Sequence, residues 1–105
     1  MNKTAFITGA GGYIGTQTAI TLANEDINIA VCDINEKSVN TAVDKVIRSG
    51  GNAKGYVSDV TDSNDIETAI RKAAEDFGSL DIMVHIAGGS VRIAGGRYVP
   101  LVGQD

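Results

Sequence analysis

The chain has no tryptophan, one proline, one cysteine and one histidine among its 105 residues. A lone cysteine, Cys32, cannot close an internal disulfide, and with a lone histidine, His85, no zinc-type ligand set can be assembled from the spacing. A disulfide scaffold and a metal centre therefore drop out. Positive charge is also scarce: nine Lys plus Arg stand against 13 Asp plus Glu, for a net charge of −4. The basic residues are scattered, so no face gathers a phosphodiester backbone and nucleic acid is not an expected partner. Long apolar runs are missing too. Stretches such as 29–32 and 82–84 fall far short of the roughly 20 residues that cross a bilayer, and Met1–Thr8 enters a strand-like pattern without a cleavable signal. No membrane partner is expected, and the cytoplasm is the expected location.

Glycine is in excess, with 13 residues, and it is clustered: Gly9, Gly11, Gly12 and Gly15 in one stretch, Gly88, Gly89, Gly95 and Gly96 in another. Each cluster needs a structural reason. The remaining composition, 43% apolar and 21% charged, is that of a single compact domain. Thr4 to Thr8 is a short apolar run stopped by glycine, after which Ile14, Ala19, Leu22 and Ala23 recur at helical spacing. Residues 27–33 are β-branched and apolar. Asn35 then caps a helix whose Val39, Ala42, Val43, Val46 and Ile47 share one face, closed by Gly50-Gly51. A third cycle follows, with a strand over 53–58, a cap at Asp62 or Ser63, and a helix carrying Ile66, Ala69, Ile70, Ala73 and Phe77 up to Gly78. Leu80 to Ile86 makes a fourth strand. Helical connections of this length demand parallel pairing with right-handed crossovers, so the fold class is α/β with helices on both faces of the sheet. From 87 to 105 neither period holds, and glycines with Pro100 read as a loop-rich tail.

The turn Thr8-Gly9-Ala10-Gly11-Gly12-Tyr13-Ile14-Gly15 lies between the first strand and the first helix. Backbone without Cβ can approach a pyrophosphate there, and N–H groups at the helix start supply its hydrogen bonds. Tight strand–helix packing is the other use of such a turn. The spacing departs from the GxGxxG template, leaving Gly9, Gly12 and Gly15 as the usable set. Asp33 ends the second strand 18 residues past Gly15, where a carboxylate can accept from both hydroxyls of an adenosine ribose; a helix-terminal charge is its alternative reading. Asp59 either accepts from an adenine amino group while Val60 packs on the ring, or merely starts the next helix.

These residues resemble the short-chain dehydrogenases/reductases, and the resemblance runs nearly the whole chain up to Gly89. Thr8–Gly15 is similar to the family's nucleotide-binding turn, Asp59-Val60-Thr61-Asp62 to its adenine-side motif, and Leu80–Gly88 to its strand ending in Asn-Asn-Ala-Gly. The resemblance implies a partial Rossmann-like, doubly wound parallel sheet of about four strands and three helices. It implies that Gly9, Gly12, Tyr13, Ile14, Gly15, Asp33, Ile34, Asp59, Val60, Ala87 and Gly88 face a dinucleotide, with Ala87 and Gly88 beside the nicotinamide ribose. Asp33, with no Lys or Arg in Thr8–Gly15 or directly after it, implies NAD rather than NADP. Two departures stand out. Tyr13 replaces the second glycine of TGxxxGxG, making the turn similar to the extended, epimerase-like branch, and His85-Ile86 replaces the two asparagines.

In this family a Tyr-x-x-x-Lys pair with an upstream serine carries the proton transfer. Here Tyr13, Tyr56 and Tyr98 are followed four residues on by Gln17, Val60 and Val102, so no tyrosine has the cation that lowers a phenol's pKa, and no catalytic residue is assigned. The chain reads as the cofactor-binding portion of a longer dehydrogenase, within a single domain 1–105. The alternatives are a nucleotide-binding or regulatory module without chemistry, or the NAD-binding half of an extended-type epimerase. With strand order 3-2-1-4 by resemblance, Leu80–Ile86 would be an open sheet edge, which implies a homo-oligomer.

Overall fold

The computed structural model describes residues 2–87, 90–93 and 97–100. Strand β1 (Thr4–Thr8) leads into helix α1 (Tyr13–Ala23), then β2 (Asn28–Asp33), α2 (Glu36–Arg48), β3 (Ala53–Val57), α3 (Ser63–Phe77), β4 (Ile82–Ala87), β5 (Ser90–Ile93) and β6 (Arg97–Pro100). They form one sheet in the order β3-β2-β1-β4-β5-β6. β1 pairs in parallel with β2 and β4, and β2 with β3. All five residues of β1 are buried, as befits a strand covered on both faces.

Crossover handedness sorts the helices. The chain moves outward from β1 to β2 to β3, then returns past β1 to β4, and right-handed connections running in opposite directions lie on opposite faces. On one face Ala5, Ile7, Ile29 and Val31 meet Ala19, Val39 and Val46 of α1 and α2. On the other Phe6, Ala30, Cys32 and Tyr56 meet Ala69 and Ala73 of α3. The Phe6 and Tyr56 rings lie 6.3 Å apart, and the Tyr56 hydroxyl donates to Asp76 at 2.7 Å. Caps fall where the sequence puts them: the Asn35 side chain accepts from Ser38 N–H, Asp62 accepts from the Asn64 and Asp65 amides, and Gly78 ends α3 with φ of 88°. No helix among the described residues is long and apolar enough to cross a membrane.

Gly55 marks how closely α2 sits on β3. A Cβ there would overlap a Val39 methyl group and lie 3.2 Å from Cγ2 of Val43. Gly55→Ala is expected to lower stability by about 1–3 kcal/mol, the usual cost of an overpacked site. Urea denaturation reads this directly, and an unchanged midpoint would mean that α2 is free to move off the sheet.

Two expectations need correction. The stretch 87–105, read as a loop-rich tail, opens with the last residue of β4 and carries two short strands, β5 and β6. Runs of four residues are too short for alternation to register, although Val91 and Ile93 flanking Arg92 do alternate. The second correction follows from the first. β5 pairs antiparallel with β4, and β6 with β5, so β4 is not an open edge and association through it loses its basis. The outermost strands are β3 and β6.

Candidate functional site

The parallel strands all point their carboxyl ends the same way, and β1 is where the chain's path divides, towards β2 on one side and β4 on the other. Open α/β sheets bind ligands outside the strand ends at such a switch point. A cavity of about 530 Å³ lies there, lined by Thr8 and Gly9 at the end of β1, Asp33 and Ile34 at the end of β2, 58–61 after β3, and His85 and Ile86 of β4.

The glycine turn forms one wall. Gly9 has φ of 71°, and a Cβ on it would sit 2.7 Å from the Ile86 carbonyl oxygen. Gly15 is pressed against the same turn: its Cβ would lie 2.5 Å from Ala10 Cα and overlap the Gly9 carbonyl. The Thr16 hydroxyl donates to the Ala10 carbonyl at 2.9 Å, and Ala10 N–H donates to the Cys32 carbonyl at 3.1 Å, which fixes the turn to both α1 and β2. Gly12 differs. The nearest atom to a Cβ there is 3.9 Å away, so nothing among the described residues requires a glycine at that position. Gly11, outside the set read from spacing, is the tighter one, with Ser38 Cβ at 2.6 Å and Asp33 Oδ2 at 2.8 Å from its would-be Cβ.

Helix α1 starts at this turn without a side-chain cap and without an acidic residue in its first turn. Its first intrahelical donor is Thr16, which bonds the Gly12 carbonyl at 2.9 Å. The amides before it form an uncompensated positive helix end, whereas α2 and α3 are both capped by side chains. Tyr13 and Ile14 stand exposed beside that end.

Asp33 links the turn to β2. Its Oδ2 accepts from Gly11 N–H at 2.9 Å and its Oδ1 from Ile34 N–H at 2.7 Å. Each carboxylate oxygen can accept a second hydrogen bond, so the group is positioned without being saturated. Across the cavity, Asp59 accepts from the Thr61 hydroxyl and amide, and these two bonds hold its carboxyl below the usual range. Ile34 and Val60 both expose apolar side chains. Asp33, Ile34, Asp59 and Val60 thus share one cavity with Gly9, while Gly12, Tyr13, Ile14 and Gly15 form the adjoining turn and helix start. Ala87 ends β4, and Gly88 lies outside the described residues.

The structure adds residues that the sequence reading did not assign. Thr8 and His85 are register partners on β1 and β4, and the Thr8 hydroxyl is 2.6 Å from His85 Nδ1. His85 is thus a half-buried, hydrogen-bonded side chain that lines the cavity. The positions of Thr8 and His85, each near the end of a parallel strand, were the available signal. Ser58, which also lines the cavity, and Cys32 are both buried. Burial, with a smaller contribution from the Asp33 charge, pushes the Cys32 thiol up to about 11, so it stays protonated and unreactive at neutral pH.

A family model for short chain dehydrogenase matches residues 3–97. Diacetyl reductase [(S)-acetoin forming] of Staphylococcus epidermidis is 41% identical over 88 residues, which cover 84% of this chain and 34% of that protein. Among solved structures, NAD+-bound xylitol dehydrogenase superposes with a TM-score of 0.75 at 37% identity, over 77% of this chain and 31% of that one. The F189W actinorhodin polyketide ketoreductase with NADPH gives a TM-score of 0.80 at 30% identity, over 83% and 33%. The chain spans about a third of the length of the curated relatives it matches. A glycine turn on an uncapped helix, a carboxylate at the end of β2 and this match over almost every residue lead to one conclusion: the chain belongs to the short chain dehydrogenase family.

Proposed function

We propose that the chain binds NAD across the carboxyl ends of β1, β2 and β3, as part of an oxidoreductase acting on an alcohol/carbonyl pair. The observation that carries this reading is the uncapped start of α1 behind a turn whose Gly12 has no neighbour to make way for among the described residues. Open space at a glycine suits a ligand that approaches the backbone, and the amides at 13–15, without a partner among the described residues, suit its pyrophosphate. Asp33 accepts from the ribose hydroxyls, Asp59 from the adenine amino group, and Ile34 and Val60 enclose the base. Ala87, small and at the end of β4, leaves room for the nicotinamide ribose, with Gly88 following it in sequence. When bound, NAD supplies a hydride acceptor at its nicotinamide ring. The chain's own residues bind and orient it.

Proton transfer is a separate matter, because no tyrosine of this sequence is followed four residues on by lysine. This favours, as a second reading, a nucleotide-binding module that performs no chemistry by itself. The expected result is one-to-one NAD binding by calorimetry together with no turnover above background across a panel of alcohols and ketones. Absence of heat up to millimolar NAD would refute the binding proposal. Turnover abolished by His85→Ala or Ser90→Ala would show that chemistry had been rebuilt from residues assigned no such role.

A further inference from the structure

Among the described residues, Ser58 alone keeps a side-chain oxygen that is shut off from solvent and has no hydrogen-bond partner. The residue is only 2% exposed. An unpaired buried hydroxyl forfeits its hydration, and buried polar atoms of native proteins nearly always find a partner, either in the protein or in ordered water. The Ser58 oxygen therefore calls for one.

Its surroundings are fixed on both sides by backbone. Ser58 N–H donates to the Asp33 carbonyl at 2.9 Å. The next amide, that of Asp59, donates to Oδ2 of Asp65 in α3 at 2.8 Å, which sets the Asp65 carboxylate at the peptide bond joining Ser58 to Asp59. On the sheet side stands Cys32, fully buried among Phe6, Ala30 and Tyr56. Burial is what pushes the Cys32 thiol up, and the Ser58 hydroxyl beside its sulfur opposes that push. Even so, the hydroxyl and the sulfur form no hydrogen bond of adequate geometry.

The three groups differ in what they offer. A protonated thiol is a weak donor, a carboxylate only accepts, and a hydroxyl does both. Water, with two donors and two acceptors, meets all three at once, and two to four such partners are what a buried water requires.

We propose that one ordered water is a structural part of this protein, bound between Ser58 Oγ, the Cys32 thiol and the Asp65 carboxylate. It accepts from the hydroxyl and the thiol and donates to the carboxylate. The bridge ties β2, the end of β3 and α3 together beside the cavity that Ser58 lines. It does not rest on the NAD-binding reading, and holds whether or not a nucleotide binds.

Two measurements test it. A high-resolution crystal structure of the unmodified chain is expected to show a water about 2.6–3.2 Å from Ser58 Oγ and within reach of Asp65 or Cys32. Urea denaturation of Ser58→Ala is expected to show the folding equilibrium constant falling about fivefold, the value of one ordinary hydrogen bond. The sign is the informative part. If the hydroxyl were a true orphan, alanine would relieve its burial and raise the constant. A constant that rises or stays unchanged overturns the proposal. So does a crystal structure in which no water lies there and the hydroxyl turns onto the Cys32 sulfur or the Asp65 carboxylate instead. The crystal structure also decides the matter should Ser58→Ala fail to fold.

Discussion

Gly15→Ala is expected to cost both the fold and the ligand, and Gly12→Ala only the ligand. At position 15 an added methyl group meets backbone on two sides, the Gly9 carbonyl and Ala10 Cα, and neither can rotate away as a side chain would. Alanine favours a helix over glycine by about 1 kcal/mol, but opening the turn cancels more than that gain. We expect a net loss of about 2–3 kcal/mol in urea denaturation and at least a tenfold fall in NAD affinity. At position 12 the nearest atom to the new Cβ is 3.9 Å away, so stability should be unchanged within about 0.5 kcal/mol. NAD affinity should still fall about tenfold, because the pyrophosphate would need the space that the methyl group fills. The pair separates the two uses of a glycine turn. If Gly12→Ala binds NAD normally, the glycines serve strand–helix packing alone.

The other large effect concerns Asp33. NAD is expected to bind tens to a hundred times more tightly than NADP, from the loss of a charged hydrogen bond and the repulsion between the carboxylate and a 2′-phosphate, together about 2–3 kcal/mol. The local sequence offers nothing to offset this: Lys37 is the nearest cation in the chain, inside α2. Asp33→Ala should bring the two affinities within about threefold of each other. Absolute affinity will fall as well, since Oδ2 also holds Gly11 N–H at 2.9 Å, and the ratio is therefore the quantity to compare. Equal binding of NAD and NADP by the unmodified chain, or an unchanged ratio in the variant, would take Asp33 out of the ribose contact.

The alternating elements were legible because each is long enough for its period to stand out, and α2 and α3 are bounded by residues with a mechanical reason to be there. Asn35 and Asp62 cap helices through side-chain oxygens, and Gly78 takes a left-handed conformation that most residues avoid. β5 and β6 were not legible, since four residues give no measurable period and pairing with β4 is decided by tertiary contact. The glycine turn was recognised, but spacing could not rank its members. Gly11 matters sterically because Ser38 and Asp33 pack on it, and both arrive from elsewhere in the chain. His85 was hidden for the same reason. Its bond to Thr8 exists only once β1 and β4 lie side by side.

The central claim is the location of the ligand, and backbone amide shifts in an NMR titration with NAD report location directly. The amides of Gly9–Gly15, Ile34, Asp59 and Val60 are expected to move together along one binding curve, with those of Thr68 and Lys72 unmoved. Thr68 and Lys72 line a separate pocket of about 230 Å³ between β3 and α3. Shifts confined to that pocket, or a titration in which the glycine turn does not respond, would contradict the account.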